Sequence, residues 1–365
     1  MTPLAERLRE RIEDGGPVTF RDWMEAALYD GRGGYYRRPD LTRWGRAGDY
    51  RTAPERTPLF AATLASYFAS LHERLGSPTS WTIVEAGAGA GHFARTALET
   101  LRRDHPRVFG ATRYLVDEAS EDARARIAAR LSDLAGRFEF ARLRDLGDGA
   151  LGAAAVFSNE LLDALPVHRV RRRGGRLLEM FVGLNGAGAF VWVEGEPSTP
   201  RLAEYFSEQG IELAEGQSAE VNLAAEEWVA GAALALARGY VVTVDYGAEA
   251  GELYDPALRF DGTLRALRDH RLADDPLADP GLRDLTTTVN WTRIKLAGER
   301  AGLRTITHER LDRFLLGSGV VEQLERLNSL AADEAGRAQL RLAARDMILP
   351  GGMAESFQAL VQEKT

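Results

Sequence analysis

The sequence predicts an α/β fold built on a mostly parallel, Rossmann-like sheet. Short apolar runs suited to buried strands recur at 81–84, 114–116, 138–143, 154–157 and 240–244, with helical patterns between them. A glycine-rich turn joins the first run to the helix after it, and acids or amides follow the second, third and fourth runs. Strands alternating with helices imply right-handed crossovers and therefore a parallel sheet, whose ligands gather beyond the carboxyl ends of its strands.

Composition narrows the classes. The chain has 365 residues, of which 45% are hydrophobic. That is enough for a large core and for one extended domain or two. Its net charge is −8 and its pI about 5.5, which argues against nucleic acid as the partner. There is no cysteine, so disulfides, zinc thiolates, iron–sulfur clusters and a thiol nucleophile are excluded. The six histidines lack ligand spacing, and no metal is expected. The N-terminus alternates acids and bases around Leu4, Leu8 and Ile12, unlike a secretory signal, and the apolar stretch 229–237 is too short to span a bilayer. These features predict a cytoplasmic protein without membrane insertion, and a homodimer is compatible with them.

Two short helices are expected over 1–29, separated by Pro17, with Thr19 as N-cap of the second. Residues 30–58 carry Gly31, Gly33, Gly34, Pro39, Gly45, Gly48, Pro54 and Pro58 among aromatics and charges, the composition of an active-site loop or lid. Helices are expected at 59–75, 120–135 and 219–238. Residues 167–216 break the rhythm with three β-like runs and are read as an inserted smaller β/α subdomain. A closing strand pair is expected near 303–307 and 353–361. The division is thus 1–80 for the N-terminal helices and lid region, 81–166 with 217–365 for the core, and 167–216 for the insertion. A basic run in the insertion (Arg169, Arg171, Arg172, Arg173, Arg176) is either a solvated hairpin or a surface for an acidic partner.

The chemistry is concentrated at the strand ends. The run Glu85-Ala-Gly87-Ala-Gly89-Ala-Gly91 sits between strand and helix, where glycine permits a tight turn and close approach of a ligand to the backbone. A dinucleotide site wants G-x-G-x-x-G, but here His92 stands at the last glycine's position. The spacing E-x-G-x-G-x-G is that of class I methyltransferases. The expected cofactor is therefore S-adenosylmethionine, with Glu85 organising the loop near the positive methionine end and Gly87, Gly89 and Gly91 in contact with the cofactor. Asp117 and Glu118 both end the second strand, where a carboxylate accepts from ribose hydroxyls, and Glu118 is the chosen candidate. Asp145, after the third strand, is the candidate adenine contact. Asn159, Glu160 and Asp163 follow the fourth strand and would face the transferred methyl group.

At these residues the chain resembles the MidA family. Asn159-Glu160 through Asp163-Ala-Leu-Pro-Val167 is similar to that family's N-E-x-x-D-A-L-P-V signature. Gly34-Tyr35-Tyr36, the segment Gly45 to Glu55, Asp245-Tyr246-Gly247, Gly262 to Ala266, Asp269-His270-Arg271 and Asp284-Leu285-Thr286 also match its motifs in order. Two places depart from the pattern: the cofactor loop, where Ala88 replaces a proline, and Thr287-Thr-Val-Asn290-Trp291, where the family more often carries an acid and a phenylalanine. The resemblance covers nearly the whole chain. It implies a class I methyltransferase fold, S-adenosylmethionine and a protein substrate, because the family includes a mitochondrial enzyme that methylates an arginine of a complex I subunit. For an arginine acceptor the candidate catalytic carboxylates are Glu55, Glu160 and Asp163, with Asn159 orienting the cofactor's methionine end or the acceptor. Two alternatives stay open: a small-molecule O- or N-methyltransferase, and a cofactor-binding assembly factor with little turnover.

Overall fold

The computed structural model describes residues 2–38, 41, 57–268, 271–349 and 351–365. They fall into two compact units. One comprises Met1–Tyr50, Leu162–Glu227 and Gly247–Leu296, and the other Arg51–Leu161, Trp228–Tyr246 and Ala297–Thr365.

The second unit carries the sheet that the sequence predicts. Seven of the eight strands of that sheet, numbered in chain order, are β1 (Trp81–Ala86), β2 (Thr112–Asp117), β3 (Phe138–Phe140), β4 (Ala153–Asn159), β5 (Arg238–Ala248), β6 (Arg304–Arg310) and β7 (Phe357–Lys364). They lie in the order β6-β7-β5-β4-β1-β2-β3. β3, β2, β1, β4 and β5 pair in parallel, and β7 runs antiparallel to both β5 and β6. The chain leaves β1 toward β2 and β3 on one side and later fills β4 and β5 on the other. The strand order therefore reverses beside β1, which places a ligand crevice at the carboxyl ends of β1 and β4.

Period-two alternation decides what each strand buries. Trp81 and Ile83 of β1, Tyr114 and Val116 of β2, Phe157 of β4, and Tyr240 and Val242 of β5 enter one apolar cluster with the helices Pro58–Arg74 and His92–Asp104. Phe93 stacks on Phe157 at 4.5 Å between ring centroids, and Phe68 meets Phe157 edge-on at 5.6 Å. Each such fully buried aromatic contributes roughly 2–3 kcal/mol of apolar transfer free energy, which fixes the β1–helix unit that presents the glycine loop. Thr57 caps the helix Pro58–Arg74 by accepting from the Leu59 amide at 3.2 Å, and Pro58 takes the first helical position, where no donor is needed.

The first unit is larger than the expected insertion. The strands His168–Arg173, Arg176–Leu184, Phe190–Gly195 and Ser218–Val221 form an antiparallel sheet that Val18–Thr19 extends by pairing with Phe181 and Val182. That pairing explains why the N-terminal helices Pro3–Gly15 and Phe20–Tyr29 group with this unit: Phe20, Trp23, Met24 and Leu28 share a cluster with Val182 and Trp192. Residues 284–286 form a further small sheet with 265–268 and 271–272. The three-part division read from sequence is therefore redrawn, with 217–227 and 247–296 joining the insertion and the helix at 58–74 joining the core. Ser218–Val221, expected as the start of a helix, is a strand because it pairs with His168–Arg171; the helix begins at Leu223.

The basic run in this unit is neutralised locally. Arg173 and Arg171 share Glu194 at 2.6 and 3.4 Å, Arg172 pairs with Glu212, Arg176 with Glu196, and Arg169 reaches Glu220 at 3.7 Å. Of the two readings of that run, the structure supports the self-paired hairpin. A second polar knot centres on buried Arg293. It binds both oxygens of Glu226 at 2.9 Å, pairs with Glu208, and lies 4.6 Å above the Tyr205 ring. No helix among the described residues is long and apolar enough to cross a membrane.

Candidate active site

The crevice is built from four adjacent strand ends of the second unit. β1 delivers the glycine loop. Gly87 has φ +72° and Gly89 φ +55°, the left-handed region that glycine occupies without cost. The Gly87 amide donates to the Asp117 carbonyl at 2.9 Å, tying the loop to β2. The Gly89 amide donates to Glu118 Oε2 at 3.0 Å, and Arg130 Nε holds the Ala90 carbonyl at 2.8 Å. A Cβ at Gly91 would lie 2.9 Å from Ile127 Cγ1, so this glycine is also needed to let the loop pack on the helix Glu121–Arg130.

β2 ends in the two acids that sequence alone left side by side, and the structure separates their tasks. Asp117 accepts from the Leu143 amide at 3.0 Å and pairs with Arg142 at 2.8 Å, fixing the turn after β3. Glu118 turns to the glycine loop, accepting from Gly89 through Oε2 and from the Ser120 amide at 2.7 Å through Oε1. Burial pushes the Glu118 carboxyl up, and these backbone donors pull it back. Asp145 rides on the short turn Leu143–Asp145, exposed and 3.7 Å from Arg144, apart from the tightly bonded acids.

Glu85 is buried at the end of β1, where Tyr114 Oη donates to its Oε2 at 2.6 Å. Burial, and secondarily the nearby Glu118 charge, raise its pKa to about 8 against the opposing Tyr114 hydrogen bond. No cationic side chain is among the groups that shift it. A cationic ligand favours the ionised carboxylate, so it lowers this pKa and drives off the proton. S-adenosylmethionine is therefore expected to bind more tightly as pH rises from about 6 to 8, by up to roughly tenfold per pH unit for one proton. The sign for folding is the reverse: the unfolded chain, with its ordinary carboxyl, holds fewer protons between about pH 4.5 and 8, so this group lowers stability as pH rises through that window. Calorimetry in buffers of different ionisation enthalpy should show proton release on binding, absent in Glu85→Gln. A buffer-independent enthalpy for the wild type would sink the assignment.

β4 supplies Asn159 and Glu160. Glu160 is one of three non-glycine residues described with positive φ, at +51°. Its amide donates to the Val244 carbonyl at 3.0 Å, and Asn159 Nδ2 donates to its Oε1 at 2.9 Å. β5 supplies Asp245, which is completely buried. Its Oδ2 accepts from the Leu161 amide at 3.2 Å and its Oδ1 from the Tyr246 amide at 2.8 Å.

The second unit thus brings Glu85, Gly87, Gly89, Gly91, Glu118, Asn159 and Glu160 to neighbouring strand ends. Asp163 belongs to the first unit, buried, with its carbonyl accepting from the Thr287 amide at 2.9 Å. Glu55, with the surrounding Gly45 to Glu55 segment, lies outside the described residues, as do Asp269 and His270. Sequence reasoning gave Asp245 no role, although the Asp245-Tyr246-Gly247 run stood out. Gly247 in that run is a packing glycine, since a Cβ there would lie 1.8 Å from Trp291 Nε1. Asn290, where the chain departs from the family pattern, has a structural place: it donates to Gln209 at 2.8 Å and to Tyr205 at 3.1 Å.

A nucleoside bearing a cationic amino-acid tail fits this donor set. The left-handed glycines leave backbone open to close approach, Glu118 offers carboxylate lone pairs beside the loop, and the buried Glu85 carboxyl favours positive charge once ionised. Fold and crevice together define a class I S-adenosylmethionine-dependent methyltransferase. Residues 63–308 match the family described as "Putative S-adenosyl-L-methionine-dependent methyltransferase", and the chain belongs to that family. It is similar to the mitochondrial protein arginine methyltransferase NDUFAF7 homolog of Drosophila melanogaster, with 29% identity over 82% of this chain and 70% of the relative. The human mitochondrial protein arginine methyltransferase NDUFAF7 is 26% identical over 98% of this chain and 82% of its own length. A Burkholderia thailandensis crystal structure bound to S-adenosyl-homocysteine superposes with a TM-score of 0.87 at 30% identity, covering 99% of this chain and 92% of that one.

Proposed function

We propose that this methyltransferase modifies an arginine of a protein substrate, as the names of its curated relatives say of them. The single observation that carries the reading is Glu160: a carboxylate at the end of β4, held in a left-handed backbone conformation and gripped by Asn159. When bound, S-adenosylmethionine supplies an electrophilic methyl group on a sulfonium. The residues must then solve the acceptor's problem. A guanidinium holds its proton to a pKa above about 12 and spreads its lone pairs over three nitrogens. A carboxylate that hydrogen-bonds two of its N–H groups draws positive charge toward them and leaves electron density on the third nitrogen. A nitrogen–methyl bond would form as the sulfur–methyl bond breaks to leave the neutral thioether S-adenosylhomocysteine, and the proton lost from the nitrogen would pass to the Glu160 carboxylate and from there to solvent. Glu160 is the group we assign to the clamp, with Asn159 steadying its carboxylate. Asp163 and Glu55 are further carboxylates proposed for the acceptor. Gly87, Gly89, Gly91, Glu85 and Glu118 are proposed to hold the cofactor, and Asp145 its adenine. The net charge of −8 supports a protein acceptor over a nucleic acid.

The test is tritiated methyl transfer from S-adenosylmethionine into a lysate of a strain lacking the gene, followed by acid hydrolysis of the labelled band. Label recovered as methylarginine is the expected result. Label confined to small molecules would show a small-molecule methyltransferase, and cofactor binding without label would show an assembly factor with little turnover.

A further inference from the structure

Glu160 stands in a conformation that costs an L-residue about 1–3 kcal/mol, so something must hold it there. Its own amide extends the β4–β5 ladder by one bond, to the Val244 carbonyl. The next amide, at Leu161, finds no strand carbonyl and is taken by Asp245 Oδ2, a buried carboxylate from the neighbouring strand. The other oxygen of Asp245 accepts from Tyr246 and thereby fixes its own rotamer. Leu161 in turn lies against the cofactor loop, its Cδ1 3.0 Å from where a Cβ on Gly87 would stand. One carboxylate therefore links the end of β5, the strained turn after β4 and the glycine loop after β1.

We propose that Asp245 is a positioning residue for methyl transfer: through the Leu161 amide it clamps the Asn159–Leu161 turn and keeps the Glu160 carboxylate aimed. Asp245 need not touch either substrate. A charged acceptor on a backbone amide is a strong hydrogen bond in a buried site, and its partner amide would otherwise be left without one. Two of the bonds its side chain accepts come from the turn and from its own neighbour. Loss of the Leu161 bond should disturb the turn first, because the backbone pairing of β5 with β4 and β7 does not run through this side chain.

The inference rests on the part assigned to Glu160, and the experiment separates the two. Asp245→Asn keeps the shape but exchanges one acceptor oxygen for an NH2 group, which faces an amide donor. In the full-length protein, the rate of tritiated methyl transfer at saturating S-adenosylmethionine should fall at least 30-fold. Cofactor affinity by calorimetry should stay within fivefold and the melting temperature within a few degrees, and hydrogen exchange should accelerate at Leu161 while the rest of β4 and β5 stays protected. Transfer within threefold of wild type would overturn the proposal, as would a uniform rise of exchange along β5 with a matching loss of cofactor affinity. If the variant does not fold, exchange in the wild type decides: a Leu161 amide protected like the β4 core supports the clamp, and one exchanging like an exposed loop overturns it. Intact transfer in Asp245→Asn beside lost transfer in Glu160→Gln would remove the positioning role and leave the proposed function standing.

Discussion

Valine at position 89 is expected to abolish S-adenosylmethionine binding, with a loss of affinity of at least about 100-fold. Gly89 holds φ +55°, a region that a β-branched residue enters only at a cost of about 1–3 kcal/mol. To escape that cost the residue must rotate, and rotation takes its amide away from Glu118. A hydrogen bond to a charged partner contributes roughly 1.5–3 kcal/mol. Either route costs about 1–3 kcal/mol, up to about 10² in affinity, and contact between the new side chain and the cofactor adds to it. Folding should suffer less, because the loop caps the strand ends and the apolar cluster beneath it, with Phe93 and Phe157 at its centre, is unchanged. Gly89→Ala should fall between wild type and valine. Titration calorimetry checks both; an affinity within threefold of wild type in Gly89→Val would refute the loop as the cofactor site.

What the sequence revealed and what it hid divide along physical lines. β1, its glycine loop and the helix after it were legible because their signals are local: an apolar run, a spacing of glycines and a helical repeat within about 25 residues. The antiparallel β7 and its partner β6 were legible in outline only. The pairing of Val18–Thr19 with the insertion was not, since two residues carry no periodicity, and the domain limits shifted with it. The split between Asp117 and Glu118 depended on partners at Leu143 and Gly89, on either side of them in the chain. The state of Glu85 depends on Tyr114, which reads in sequence as an ordinary strand aromatic. Asp245 lay in a run that stood out, but its task was hidden for the same reason. Its partner is a main-chain amide at Leu161, and a backbone donor leaves no mark in composition or spacing.

Glu160→Gln is expected to remove methyl transfer, by at least about 100-fold, while leaving the cofactor site in place. Glutamine keeps the length of the side chain and an oxygen that can still accept from Asn159 Nδ2, so the contact at 2.9 Å survives. The backbone strain at this position is unchanged, because both residues carry the same Cβ and the Leu161 and Val244 bonds are untouched. What disappears is the negative charge and one acceptor. A neutral amide cannot pair with a guanidinium as a carboxylate does, and it cannot stabilise the charge that localises as the nitrogen attacks. Removing one preorganised electrostatic group of this kind costs about 3–4 kcal/mol in the transition state, or 10²–10³ in rate. S-adenosylmethionine affinity should stay within threefold, since Glu85, Gly89 and Glu118 are untouched, and the melting temperature should move by no more than a few degrees. The decisive comparison is the ratio of the two measurements on one preparation. Lost transfer with retained binding places Glu160 at the acceptor. Lost transfer with lost binding would assign it to the cofactor instead, and unchanged turnover would eliminate the clamp.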